Sequence, residues 1–166
     1  MEEAFSQQLK EEKLELPAGQ FALFMNSMYA VDAYVRDYFR KAALDALLAE
    51  KLPVTVFGEG WEKYSCGDEH SLRREPAVPF ALSFERIAKA HVLLNVSPIF
   101  NRGMHDRVPA GMANHAVVLT DENPYLRRTF TDGKELLFYS LEKPDTLCEQ
   151  AERTLTDVRL REKIAA

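Results

Sequence analysis

The stretch that decides the fold is HVLLNVSPIFNRGMHDRVPAGMANHAVVLT, residues 91–120. It opens on a run from His91 to Val96 that is mostly apolar and closes on a second run, Ala116-Val117-Val118-Leu119-Thr120. Between them lie a turn-rich loop, Ser97 to Gly103, and a segment of helical character at about 106–114. Neither apolar run alternates with polar residues. A strand written that way is covered on both faces, as in a parallel sheet with helices on each side.

The same order of strand and helix extends in both directions. Upstream, Val54-Thr55-Val56-Phe57 reads as a strand that turns away at Gly58-Glu59-Gly60. Before it, Val31, Tyr34, Val35, Tyr38 and Ala42 recur at helical spacing, extended by Leu44, Leu47 and Leu48 and stopped at Pro53. Phe21-Ala22-Leu23-Phe24-Met25 reads as a further buried strand, and residues 62–77 as polar and irregular. A helix fits 82–90. Downstream, a helix near 123–130, a strand at Glu135–Tyr139 and a long helix from Pro144 complete the chain. Leu147, Ala151, Leu155 and Val158 share one face of that last helix. Right-handed crossovers then give an α/β fold, a Rossmann-like doubly wound parallel sheet with helices on both faces. Residues 1–19 form a charged amino-terminal arm, broken at Leu16-Pro17-Ala18-Gly19, and residues 20–166 form the domain.

Composition narrows the function. The chain has 166 residues, 26 acidic against 21 basic, and a formal net charge of −5. Nucleic acid is a poor main partner for that balance, because phosphate backbones select concentrated Lys and Arg. No apolar run approaches the ~20 residues of a membrane span, and the acidic start is unlike a secretory leader. Two cysteines, Cys66 and Cys148, lie outside any C-x-x-C spacing and fit a reduced, cytoplasmic setting.

In an open parallel sheet, ligands bind outside the carboxyl ends of the strands. Two loops there are unusual. Gly58-Glu59-Gly60 lets backbone amides approach a phosphate or sugar; the alternative is a tight strand-exit turn with Trp61 packed over it. The second loop, Ser97 to Arg107, enters a helix whose first amides carry the positive end of its dipole. Arg102 and Arg107 suit a diphosphate, Gly103 permits a close turn, and His105 can donate to an anionic oxygen or a sugar hydroxyl. Asp106 has a second reading as the helix N-cap, and Arg107 as its ion-pair partner. His91 reads as a packed histidine, and Tyr29, Tyr34, Tyr38 and Phe39 as core and boundary. Cys66 and His70, four apart, lack the second pair a zinc site needs. Asn95-Val96-Ser97 matches a glycosylation sequon but falls in a strand expected to be buried.

VTVFGEGWE, the 91–130 stretch, TDGKELLFY and the closing REKIA together resemble the sugar-donor half of GT-B glycosyltransferases, in the group-1 branch of spore-maturation and spore-coat-glycosylation type. The resemblance covers roughly residues 20–166 and is most specific at 91–139. It implies two Rossmann-like domains, the carboxyl-terminal one holding a nucleoside-diphosphate sugar and the other the acceptor, without cofactor or metal. It places Gly58, Glu59 and Gly60 beside the donor, and Gly103, Met104, His105, Asp106 and Arg107 at the diphosphate. Thr120 to Asn123 border the nucleotide. Three positions depart from the family pattern. Ala110 replaces a ribose-binding glutamate, Arg102 replaces a second glutamate eight positions upstream, and His115 stands where relatives often have glycine.

The expectation is a glycosyltransferase donor domain with Arg107 and His105 in catalytic roles, working beside an acceptor domain in the same or another chain. The chain is then an excised domain or a subunit, and a homo-oligomer is compatible with it. The alternative is a degenerate Rossmann-like module kept for protein association, motivated by the missing glutamates and the amino-terminal region. A flavodoxin-like or dehydrogenase domain fits less well, because its phosphate fingerprint is absent.

Overall fold

A computed structural model describes residues 2–100 and 102–166. Met1 of the arm and Asn101 of the second loop lie outside the described residues. Helices α1 (Glu2–Glu11), α2 (Ala18–Ser27) and α3 (Tyr29–Ala49) precede strand β1 (Val54–Phe57). Strand β2 (Leu72–Glu75), helix α4 (Phe80–Ile87), strand β3 (Val92–Asn95) and helix α5 (Arg107–Ala113) follow. The order ends with β4 (Val117–Asp121), α6 (Pro124–Thr129), β5 (Leu137–Tyr139), α7 (Pro144–Thr156) and α8 (Val158–Ala165).

Every strand pairing is parallel, as the unalternating apolar runs predict. In β4, Val117 and Leu119 face one way, against Leu47 of α3, Leu147 and Ala151 of α7 and Ile164 of α8. Val118 faces the other way, against Val108 of α5 and Leu126 of α6. All five β4 residues are buried, so the sheet is covered on both sides. Gly111 sets the distance between α5 and the sheet. A Cβ there would fall 2.5 Å from Val118 Cγ2 and 2.9 Å from Leu93 Cδ2.

The strands form two groups rather than one continuous sheet. β1 pairs with β2, and β3, β4 and β5 pair in that order, with no hydrogen-bonded ladder joining β1 to β3 among the described residues.

Four local expectations are corrected. Residues 21–25 are helical, within α2, not a strand. Ala18, Gln20, Ala22, Leu23 and Met25 favour helix, Pro17 starts it, and Phe24 stacks on Phe5 of α1 at 4.0 Å. The stretch 62–77 contains strand β2, whose apolar signal is Leu72 alone. Arg74 supplies the rest by donating to the carbonyls of Trp61 (3.0 Å) and Tyr64 (2.9 Å) and to Glu69 (2.6 Å). The closing helix is broken at Asp157, whose carboxylate caps α8 by accepting from the Leu160 amide at 2.9 Å, and Val158 is left exposed. Finally, His91 is exposed at the entry to β3. Tyr29, Tyr34 and Tyr38 stand 58–70% exposed on α3, while Phe39 packs on the core.

Candidate functional site

The carboxyl ends of β3, β4 and β5 carry a cluster of buried polar groups. Asn95 is fully buried, and its amide donates to Thr120 Oγ1 at 2.9 Å. The Asn95 side-chain carbonyl accepts from the Ser97 hydroxyl at 3.1 Å and from Arg107 Nη1 at 3.1 Å. Tyr139 donates its hydroxyl to the Asn95 backbone carbonyl at 3.1 Å. Asp121, 3% exposed, accepts from the Ser97 amide at 2.7 Å. Burial raises the Asp121 carboxyl from 3.8 to about 6, against the lowering effect of its backbone hydrogen bonds and of Arg107. Sequence reading found Thr120, took in Asp121 only within the span from Thr120 to Asn123, and gave Asn95 and Tyr139 no place in the site. Their signal was available, since each is a polar residue or hydroxyl at the end of an otherwise apolar strand.

Arg107 links this cluster to solvent. Burial first, and then the neighbouring positive charge of Arg40, lower its guanidinium from the usual value, while Asp106 and Asp121 oppose. Arginine nevertheless stays cationic. Next to it, burial and the field of Arg107 hold His105 below its ordinary value. The neutral ring accepts the Arg107 amide at Nδ1, 3.3 Å away; the close approach of Asp106 Oδ1 to the same nitrogen serves the protonated ring instead. Arg40, from the middle of α3, escaped the sequence reading because nothing local to it signals an anion.

These groups sit at one end of a cleft of about 600 Å3 between β1 and β3. Its lining runs from Thr55 and Phe57, just before the glycine loop, past Leu93 and Leu94 to His105, Asp106 and Arg107. Gly58 and Gly60 have φ of 120° and 91°, so their turn does require glycine. The Gly60 amide is engaged by Glu62 at 2.8 Å, and Glu59 is exposed.

Of the remaining sequence candidates, Asn123, Met104, Arg102 and Gly103 do not line the cleft. Asn123 caps α6 by accepting from the Leu126 amide at 2.8 Å, and donates to the carbonyls of Phe100 (2.6 Å) and Gly103 (3.2 Å). Met104 packs on the Val108–Val118 core. Arg102 is exposed and approaches Glu3 at 3.4 Å. Asp106 occupies the N-cap position of α5 but makes no side-chain cap bond. Gly103 has an ordinary φ and open space around it. The structure therefore brings together His105, Asp106 and Arg107 and makes Thr120 and Asn123 struts beneath them.

The family described as glycosyl transferase-like has a model that matches residues 36–166. No curated protein matches the chain. Among solved structures, the crystal structure of Anabaena Alr3699/HepE in complex with UDP-glucose is similar, with a TM-score of 0.58 and 12% sequence identity. That match covers 77% of this chain and 37% of the other, so this chain spans little more than a third of its length. At such identity the likeness is one of fold.

Proposed function

We propose that this chain, which belongs to the glycosyl transferase-like family, is the donor-binding half of a GT-B glycosyltransferase. In this reading it is the carboxyl-terminal half, of the spore-maturation and spore-coat-glycosylation type, and takes a nucleoside-diphosphate sugar. The observation that carries the reading is the pair Arg107 and His105, which line the cleft where β3 ends, with the positive charge of Arg40 acting on both. A buried guanidinium lowered further by a neighbouring positive charge is an arrangement that an anion relieves.

The chemistry follows from charge. As the bond from the sugar's anomeric carbon to the diphosphate oxygen breaks, negative charge accumulates on the diphosphate. Fixed cations there stabilise the transition state more than the ground state, and so accelerate transfer instead of only binding. Arg107 is preorganised by Asn95, and Arg40 adds charge, its carboxylate partner among the described residues being Asp37 at 3.8 Å. Neutral His105 donates from Nε2 to a phosphate or sugar oxygen. The resemblance implies charge compensation by side chains, without metal. The acceptor, and the base that takes its proton, belong to a partner domain in the same or another chain.

Amide chemical-shift mapping tests this reading. UDP-glucose and GDP sugars are expected to perturb residues 95–107 and 40, with inorganic phosphate acting more weakly at the same amides. Perturbations confined to other surfaces would overturn it. A second reading, a module for protein association, is favoured by the apolar side chains exposed on α2 and α3, among them Leu23 and Tyr34. Light scattering with and without residues 1–19 separates the two: a dimer lost on truncation, with no nucleotide affinity, belongs to the second.

A further inference from the structure

The cleft between β1 and β3 has the properties of a missing strand position. Val54 donates its amide to Ser71 beside β2, so by the alternation of a strand Thr55 and Phe57 direct theirs to the opposite edge. Val117 of β4 bonds to the carbonyl of His91, so Leu93 and Asn95 face β4, and Val92 and Leu94 face the cleft. Two strand edges, each with unladdered backbone groups, therefore border one apolar space. Burial shows the same vacancy. β4 is buried throughout, yet Val92, Leu93 and Leu94 of the equally apolar β3 are only half-buried, and Phe57 is 39% exposed. Doubly wound sheets place the strand that precedes the first crossover helix between the two strands that here stand apart.

The segment that would fill such a place is also the least well packed in the chain. Helix α2 has no buried residue, Leu23 is 71% exposed, and its main packing is against α3 and, through Phe5, α1. Phe21-Ala22-Leu23-Phe24-Met25 is apolar at every position, which suits a strand covered on both faces and not a helix in water. In α3 the buried residues begin only at Ala43. We propose that residues 21–25 have a second state, a parallel strand inserted between β1 and β3 of their own chain, and that helical α2 is its undocked form.

Geometry sets what must move. α3, at 21 residues, is about 31 Å long, whereas a four-residue strand spans about 13 Å. The first turns of α3, around Tyr29 to Tyr34, therefore unwind to let the strand reach the slot, while Ala43 to Leu48 stay on the core. The crossover from the new strand through the remainder of α3 to β1 is then an ordinary right-handed one. Asn26 and Ser27 arrive at the carboxyl edge beside Arg107. The inference does not depend on the donor reading, because it concerns backbone pairing alone.

Hydrogen exchange of the full chain, read by mass spectrometry and NMR without ligand, tests it. The expected result is that the amides of Thr55, Phe57, Val92 and Leu94 exchange at least a hundredfold more slowly than those of residues 29–34. Exchange of all four at loop rates would overturn it. Leu23→Asp is the second arm: it is harmless on an exposed helix, but is expected to lower Tm clearly and speed those four amides, whereas Leu14→Asp is not. An unchanged Tm and unchanged exchange in Leu23→Asp would overturn the proposal. So would protection that appears only in a concentration-dependent dimer, since a second copy would then supply the strand.

Discussion

Arg107 of α5 donates from Nη1 to the side-chain carbonyl of Asn95 at 3.1 Å, tying the start of a helix to the end of the strand before it. Among the described residues this is the one hydrogen bond its guanidinium makes, out of five N–H donors. Asn95→Ala removes that anchor together with the bonds to Thr120 and Ser97. A loss of roughly 1–3 kcal/mol in denaturant unfolding is expected, because the partners left behind are buried. UDP affinity, measured by calorimetry, is expected to fall as well, since Arg107 then samples other rotamers.

Asp121 makes stability depend on pH. Its folded value of about 6 lies above the ordinary 3.8, so the folded state holds its proton to higher pH than the unfolded chain does. The associated stability is fully present below about pH 4 and is lost as pH rises through 6, by roughly 2–3 kcal/mol. Asp121→Asn keeps an acceptor for the Ser97 amide and has no proton to lose. Urea melts from pH 4 to 8 are expected to show the decline in the native protein and its absence in the variant.

Gly111 is fixed by contact, not by backbone conformation. Alanine there would press Cβ into Val118 and Leu93 and push α5 off the sheet. Gly111→Ala is expected to lower stability by about 1–3 kcal/mol, seen as a lower Tm, and to displace His105 and Arg107 with the helix.

Asn123 serves two structures with one side chain. Asn123→Ala loses the α6 cap, worth ~1 kcal/mol, and frees the carbonyls of Phe100 and Gly103. Asn123→Asp retains the cap but not the two donated bonds. Faster amide exchange across residues 98–105 is expected in both variants, whereas α6 loosens only in the alanine form.

The parallel architecture was legible because β3 and β4 are apolar without alternation, a pattern that only a doubly covered strand tolerates. β2 was hidden, since Leu72 alone faces the core and Arg74 does its structural work through carbonyls distant in sequence. Residues 21–25 misled for the opposite reason: their apolarity reads as strand, while Ala22, Leu23 and Met25 are also good helix formers and Phe5 rewards the helix. At the site, Arg107 and His105 could be read from their loop. Asn123 could not be read as a strut, nor Arg40 as a neighbour, because those roles arise from contacts across 20 residues or more.

Calorimetric titration with UDP, UDP-glucose and GDP sugars, in the native chain and in Arg107→Ala, addresses the diphosphate site most directly. Saturable binding of at least one of these is expected, weakened about tenfold to a hundredfold in Arg107→Ala, as befits the loss of ~1.5–3 kcal/mol from a charged hydrogen bond. No heat at millimolar ligand, or equal affinity in the two proteins, would contradict it.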